Sequence, residues 1–179
     1  RTLVLLDDFS ASGTSYFMGP AHHPTGGKIA SFFNEICDGK PASRLIDPSD
    51  VEVSTLLYLA TEQALDHLRA ASQATWGARK ITSTVDAVQV LPMEMRLSAS
   101  DATDIVRLIQ KPDYYDPKIQ DENFDKGGAT DARFGYAACG LPLVLHHNTP
   151  NNSIALLMSY ENLCFRGLFP RIQRHREMA

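Results

Sequence analysis

Hydrophobic positions along the chain fall into short apolar runs separated by stretches with helical spacing. Leu3-Val4-Leu5-Leu6 is a run short enough for a buried parallel strand, although periodicity alone does not separate it from a piece of buried helix. The next residues decide for a strand: two adjacent carboxylates, Asp7 and Asp8, then a loop of small hydroxylated residues around Gly13. Tyr16 to Gly27 is dense in breakers (Gly19-Pro20, Pro24, Gly26-Gly27) and reads as a loop. Lys28 to Asp38 spaces Ile29, Phe32, Phe33 and Ile36 by threes and fours, which predicts a helix with these residues in the core and Gly39 as its stop. Val51 to Ala60, β-branched and then leucine-rich, predicts a parallel strand. Thr61 caps the next helix, with Glu62 near the positive end of its dipole. That helix runs from about Glu62 to Thr75, buries Ala64, Leu65, Leu68 and Ala71, and ends at Gly77. Thr84 to Leu91 is the next strand, closed by Pro92.

The second half is less regular. Ser98-Ala99-Ser100-Asp101 resembles a capping signal before a helix containing Ile105, Val106, Leu108 and Ile109, which Pro112 terminates. Asp113 to Arg133 is rich in acids and has no apolar period, so it predicts a solvated insertion or lid. Leu141 to His146 predicts a last strand, and Ser153 a cap for a short helix through Ile154, Leu157 and Met158. Strands alternating with helices at this spacing imply an α/β fold with a mainly parallel sheet.

Composition adds few constraints. The 179 residues suit one domain, residues 1–179, and 44% apolar with 21% charged residues is ordinary for a globular protein. A net charge of −4 argues against bulk nucleic-acid binding. Cys37, Cys139 and Cys164 are odd in number, far apart and without metal spacing, which points to a reducing cytoplasm. No run approaches the ~20 apolar residues of a membrane span, and no signal peptide opens the chain. The sequence is compatible with an oligomer.

The chemistry concentrates after the first strand. In an open α/β sheet, ligands bind at the carboxyl ends of the strands. Backbone N–H groups of Ser10, Ala11, Ser12, Gly13, Thr14 and Ser15 suit a phosphate, and the hydroxyls add donors. Gly13 stands where a side chain would block close approach or oppose an unusual backbone angle. Asp7 and Asp8 can accept bonds from vicinal hydroxyls and help hold a hydrated Mg²⁺. Elsewhere, His22-His23 reads as an exposed pair, because adjacent side chains diverge. Asp113, Asp116, Asp121 and Asp125 lack the EF-hand spacing. Two readings stand for His147 to Ser153: turns that bond their own backbone, or a substrate loop in which Asn148, Asn151 and Asn152 read a base edge or a second phosphate. Arg166, Arg171, Arg174 and Arg176 form a solvated face or a patch for phosphate, nucleic acid or a protein partner. A phosphatase of the haloacid type is excluded, since it needs two acids separated by one residue.

Leu3 to Ser15 resembles the ribose-5-phosphate signature of type I phosphoribosyltransferases, with Ala11 and Thr14 departing where Thr and Gly are common. His147-Asn148-Thr149-Pro150-Asn151-Asn152-Ser153 and Leu168-Phe169-Pro170-Arg171 resemble C-terminal motifs of phosphoribosyltransferase-like domains from bacterial conflict and anti-phage defence operons. The resemblance implies a parallel sheet of the phosphoribosyltransferase type in which the first strand is interior, so that the chain is the C-terminal part of a larger domain. It also implies 5-phosphoribosyl-1-pyrophosphate or a ribonucleotide as substrate, with Mg²⁺. Asp7 and Asp8 would hold the ribose and, through it or through water, the metal. Ser10 to Ser15 would hold the 5-phosphate. Two rivals share the fold: a nucleotide or ribose-phosphate sensor without turnover, and a docking scaffold with a relict pocket.

Overall fold

A computed structural model describes residues 1–38, 40–115, 117–120, 122–158 and 167–169. The chain divides into two compact units, Arg1–Met93 and Glu94–Ala179.

The first unit is α/β. Strands β1 (Thr2–Ser10), β2 (Glu52–Thr61) and β3 (Ser83–Leu91) form a sheet in the order β1-β2-β3. Both pairings are parallel, with Leu5 opposite Thr55 and Thr55 opposite Val85. The three predicted strands are therefore present, and they run as expected. Helices α1 (Lys28–Cys37) and α2 (Glu62–Gly77) connect them. Thr61 caps α2, its hydroxyl accepting the Ala64 N–H at 3.0 Å. Ala64, Leu65, Leu68 and Ala71 are buried as their spacing predicts, together with Ser72 and Trp76. Gly39 lies outside the described residues, and the α1 cap is Asp38, whose N–H bonds the Asn34 carbonyl.

The core lies on the odd-numbered face of the sheet, where Val53, Leu57 and Val85 meet Ile29 and Ile36 of α1 and Leu65 and Leu68 of α2. Phe32 and Phe33 pack against the Trp76 ring, with centroids 6.4 and 4.9 Å away, in keeping with a core role. The even-numbered face carries Val4, Leu6, Tyr58 and Val88, all exposed. Here the structure corrects the expectation of a strand buried on both sides. Burial in β1 alternates, as it does in a strand packed on one face only, and Leu6 is 73% exposed.

The second unit is built from short pieces. Helices α3 (Asp104–Ile109), α4 (Glu122–Asp125) and α5 (Ala155–Met158) are joined by 3-10 turns, around a core of Val106, Ile109, Phe134 and Ile154. Three expectations change here. Leu141–His146 is not a strand: Leu141 makes one isolated parallel bridge with Ser153, Pro142 lacks an N–H to continue a ladder, and the chain turns at Leu145–Asn148. The Ser98 to Asp101 motif closes its own turn, Ser98 N–H to the Asp101 carboxylate at 2.8 Å, while Thr103 caps α3. Ser153 donates to the Leu143 carbonyl at 2.6 Å instead of capping a helix. The 113–133 stretch is partly packed, through Phe124 and Ala132. Among the described residues, no helix is long and apolar enough to cross a membrane.

Candidate functional site

The loop after β1 sits at the carboxyl end of its strand, where a sheet of this type binds ligands. Ser10 ends the strand and is buried, and its hydroxyl has no partner among the described residues. Ser12 and Thr14 share a hydroxyl–hydroxyl bond of 2.8 Å. Gly13 turns the chain at φ +77°, and its carbonyl accepts the N–H groups of Tyr16 and Phe17 at 3.0 and 3.1 Å. A Cβ on Gly13 would lie 2.8 Å from the His67 ring and 3.3 Å from the Ala64 carbonyl. Glycine is needed here for the backbone angle and for close packing on α2. Among the described residues, no protein acceptor meets the N–H groups of Ser12, Gly13 and Ser15.

The loop is fastened on both sides. Thr61 donates to the Ala11 carbonyl at 2.5 Å while capping α2, so one hydroxyl joins the loop to the helix start. His67, six residues further on, bonds the Phe17 carbonyl through Nε2 at 2.9 Å, so that nitrogen carries the proton. On the far side, Ser15 and Tyr16 carbonyls accept the N–H groups of Lys28 and Ile29 at 3.0 and 3.1 Å. Gly27, at φ +110°, lets the two segments approach, since a side chain there would strike the Tyr16 carbonyl.

The two acids diverge, because consecutive residues of a strand face opposite ways. Asp7 lies on the helix side, in register with the fully buried Leu57. Its Oδ2 accepts from the Tyr16 hydroxyl at 2.8 Å and the Lys28 ammonium at 2.9 Å, and its Oδ1 from the Asp8 N–H at 3.0 Å. Partial burial raises the Asp7 pKa, but the bonds from Lys28, Tyr16 and the Asp8 N–H outweigh it and hold the carboxyl at about 2. Burial, then the Asp7 bond, pushes the Tyr16 hydroxyl well above its ordinary range. Asp8 is exposed on the other face.

A family profile described as PRTase-CE matches residues 1–171. The chain belongs to that family. No curated protein and no solved structure matches it. The strand, acid pair and Ser/Gly loop of this PRTase-CE chain thus belong to a phosphoribosyltransferase-like domain. A magnesium ion is what such a domain implies, and the donor set fits only indirect binding. Asp7 already holds an ammonium, and no group of three acidic, histidine or cysteine side chains converges among the described residues. Exposed Asp8 can meet a hydrated ion, since Mg²⁺ keeps several waters and shares substrate phosphates.

The other predicted site residues lie in the second unit. Asn148 accepts the Thr149 N–H at 2.9 Å, and Asn152, buried, donates to the Tyr136 carbonyl at 3.3 Å and to the Cys139 sulfur at 3.4 Å. The Asn151 carbonyl accepts the Tyr136 N–H at 2.7 Å. Of these, the Asn148 bond lies within the loop, whereas Asn151 and Asn152 tie the loop to Tyr136 and Cys139. The two C-terminal motifs do meet: the Thr149 hydroxyl donates to the Phe169 carbonyl at 2.6 Å. Arg166, Arg171, Arg174 and Arg176 lie outside the described residues.

Four supporting residues escape a reading of the sequence for chemistry: Tyr16, Lys28, Thr61 and His67. Two left a signal. Lys28 opens a helix, where a cation opposes the dipole, which suggests an acid elsewhere in the fold. His67 falls between Ala64 and Ala71 on the buried face of α2, so its ring needs a polar partner.

Proposed function

We propose that the chain transfers or releases a ribose 5-phosphate group, using 5-phosphoribosyl-1-pyrophosphate or a ribonucleotide. The observation that carries this reading is the loop at the end of β1: Gly13 at φ +77°, with the N–H groups of Ser12, Gly13 and Ser15 unmatched by protein acceptors among the described residues. Gly13 is buried and Ser12 half-buried, buried backbone donors are normally paired, and a phosphate monoester would supply the acceptors. Asp7 and Asp8 come just before that loop in the chain, near the end of β1, and in this reading they meet the ribose whose 5-phosphate the loop holds. Cleavage at C1 passes through an oxocarbenium-like state, which needs positioning and charge neutralisation more than a nucleophile. The loop supplies binding energy remote from C1, and the acid at the strand end orients the ring hydroxyls as positive charge develops. Mg²⁺, when bound, neutralises the pyrophosphate.

The resemblance to conflict-system domains supports an effector that acts on nucleotide pools in the cytoplasm during phage infection. The arginines at 171, 174 and 176 would serve a nucleic-acid or protein partner. Incubating the full chain with phosphoribosyl pyrophosphate, Mg²⁺ and each common base tests the enzyme reading. Release of pyrophosphate with formation of a nucleotide is expected. Tight binding of the donor without any turnover would replace the enzyme with a sensor.

A further inference from the structure

We infer that the cavity between β1 and α1 binds a small neutral aromatic molecule, a six-membered ring with a single hydrogen-bonding substituent that meets the Thr55 hydroxyl.

The cavity measures about 200 Å³, and Leu5, Ile29 and Phe32 supply its apolar wall. Thr55 lines it too. This residue stands on the helix side of the central strand, in register with Leu5 of β1 and Val85 of β3, and is 2% exposed. Its hydroxyl is buried without a partner among the described residues. Buried hydroxyls are normally hydrogen-bonded, so this one marks a place where a partner belongs. A water molecule needs several polar neighbours to be held there, and Leu5, Ile29 and Phe32 offer none. Size narrows the ligand. An apolar cavity of about 150 Å³ holds a benzene, so this one has room for a ring and a small substituent. Sites for drug-sized ligands begin at about 300 Å³, which excludes a nucleotide. Charge narrows the ligand again. The two ions lining the cavity, Lys28 and Asp7, are paired with each other at 2.9 Å, and the Tyr16 hydroxyl donates to the same carboxylate oxygen. The pair neutralises itself, so a charged ligand would meet no uncompensated partner. An aromatic ring suits the Phe32 wall, where edge-to-face contact adds to burial. The Thr55 hydroxyl both donates and accepts, and a phenolic hydroxyl satisfies it.

Calorimetry on the full chain tests this with phenol, benzene and benzoate as probes. Phenol should bind saturably, one molecule per chain. It should also shift the emission of Trp76, the single tryptophan, whose buried ring lies 6.4 Å from that of Phe32. Benzoate should bind about tenfold more weakly than phenol, because it would have to draw Lys28 from Asp7. Thr55→Val keeps the β-branched shape and removes the hydroxyl. It should lower the ratio of phenol to benzene affinity by about 3- to 10-fold, as for a lost neutral hydrogen bond, while Thr55→Ser should keep the wild-type ratio. Absence of saturable phenol binding to the wild type would overturn the proposal, and so would benzoate binding as tightly as phenol. Both of these outcomes are read on the wild type, whether or not a variant folds. An unchanged ratio in Thr55→Val would show that the hydroxyl does not reach the ligand, and would overturn it equally.

Discussion

Single residues carry two consequences that the fold alone would not. Asp7 titrates at about 2 in place of its ordinary 3.8 because Lys28, Tyr16 and the Asp8 N–H outweigh the effect of burial. Its folded value lies below its unfolded one, so the stabilisation it confers is fully present above about pH 4 and is lost as pH falls toward 2. Urea midpoints measured across that window should drop for the wild type, and the drop should be smaller for Asp7→Asn. Gly13 is the second case. Its φ of +77° and the mere 2.8 Å that would separate a Cβ from the His67 ring both oppose a side chain. Gly13→Ala should cost about 2–3 kcal/mol of stability, from left-handed strain plus crowding, which a denaturant titration reads directly. The need for glycine was legible in the sequence, and so were both acids. That the obstacle is α2 was not, because His67 and Ala64 lie some fifty residues away along the chain.

At the scale of elements, the sheet was legible because three apolar runs are separated by stretches with helical spacing. Thr61 was legible as a cap from its place before Glu62. Its second bond, to the Ala11 carbonyl fifty residues earlier, leaves no local trace. Removing the hydroxyl with Thr61→Val should therefore cost more than an ordinary cap, about 2–3 kcal/mol, and should weaken phosphate binding along with stability. A loss of stability with unchanged phosphate affinity would mean that α2 does not support the loop. The failed strand at Leu141–His146 has the converse cause. Its apolar pattern suits a strand, but pairing requires a neighbouring ladder, and backbone bonds such as Leu97 N–H to the Gly140 carbonyl and Ile154 N–H to the Leu141 carbonyl hold that unit with isolated bridges. Such contacts follow no period that a sequence could display.

For the whole molecule, membership of the PRTase-CE family over residues 1–171 and a parallel α/β first unit agree with each other and with the signature at the start of the chain. The fastening bonds explain how a short loop can stay shaped before any ligand arrives. Two come from Thr61, the cap of α2, and from His67 within it, and two from the start of α1, through Lys28 and Ile29. A preshaped loop lowers the ordering cost of binding. The central claim is that this loop is a phosphate site, and the most direct measurement is a calorimetric titration of ribose 5-phosphate into the full wild-type chain and into Thr14→Ala. One ribose 5-phosphate should bind per wild-type chain, and the variant should bind it about 1.5–3 kcal/mol more weakly, as for a lost bond to a charged group. Equal affinity in the two proteins, or no binding to the wild type, would contradict the account.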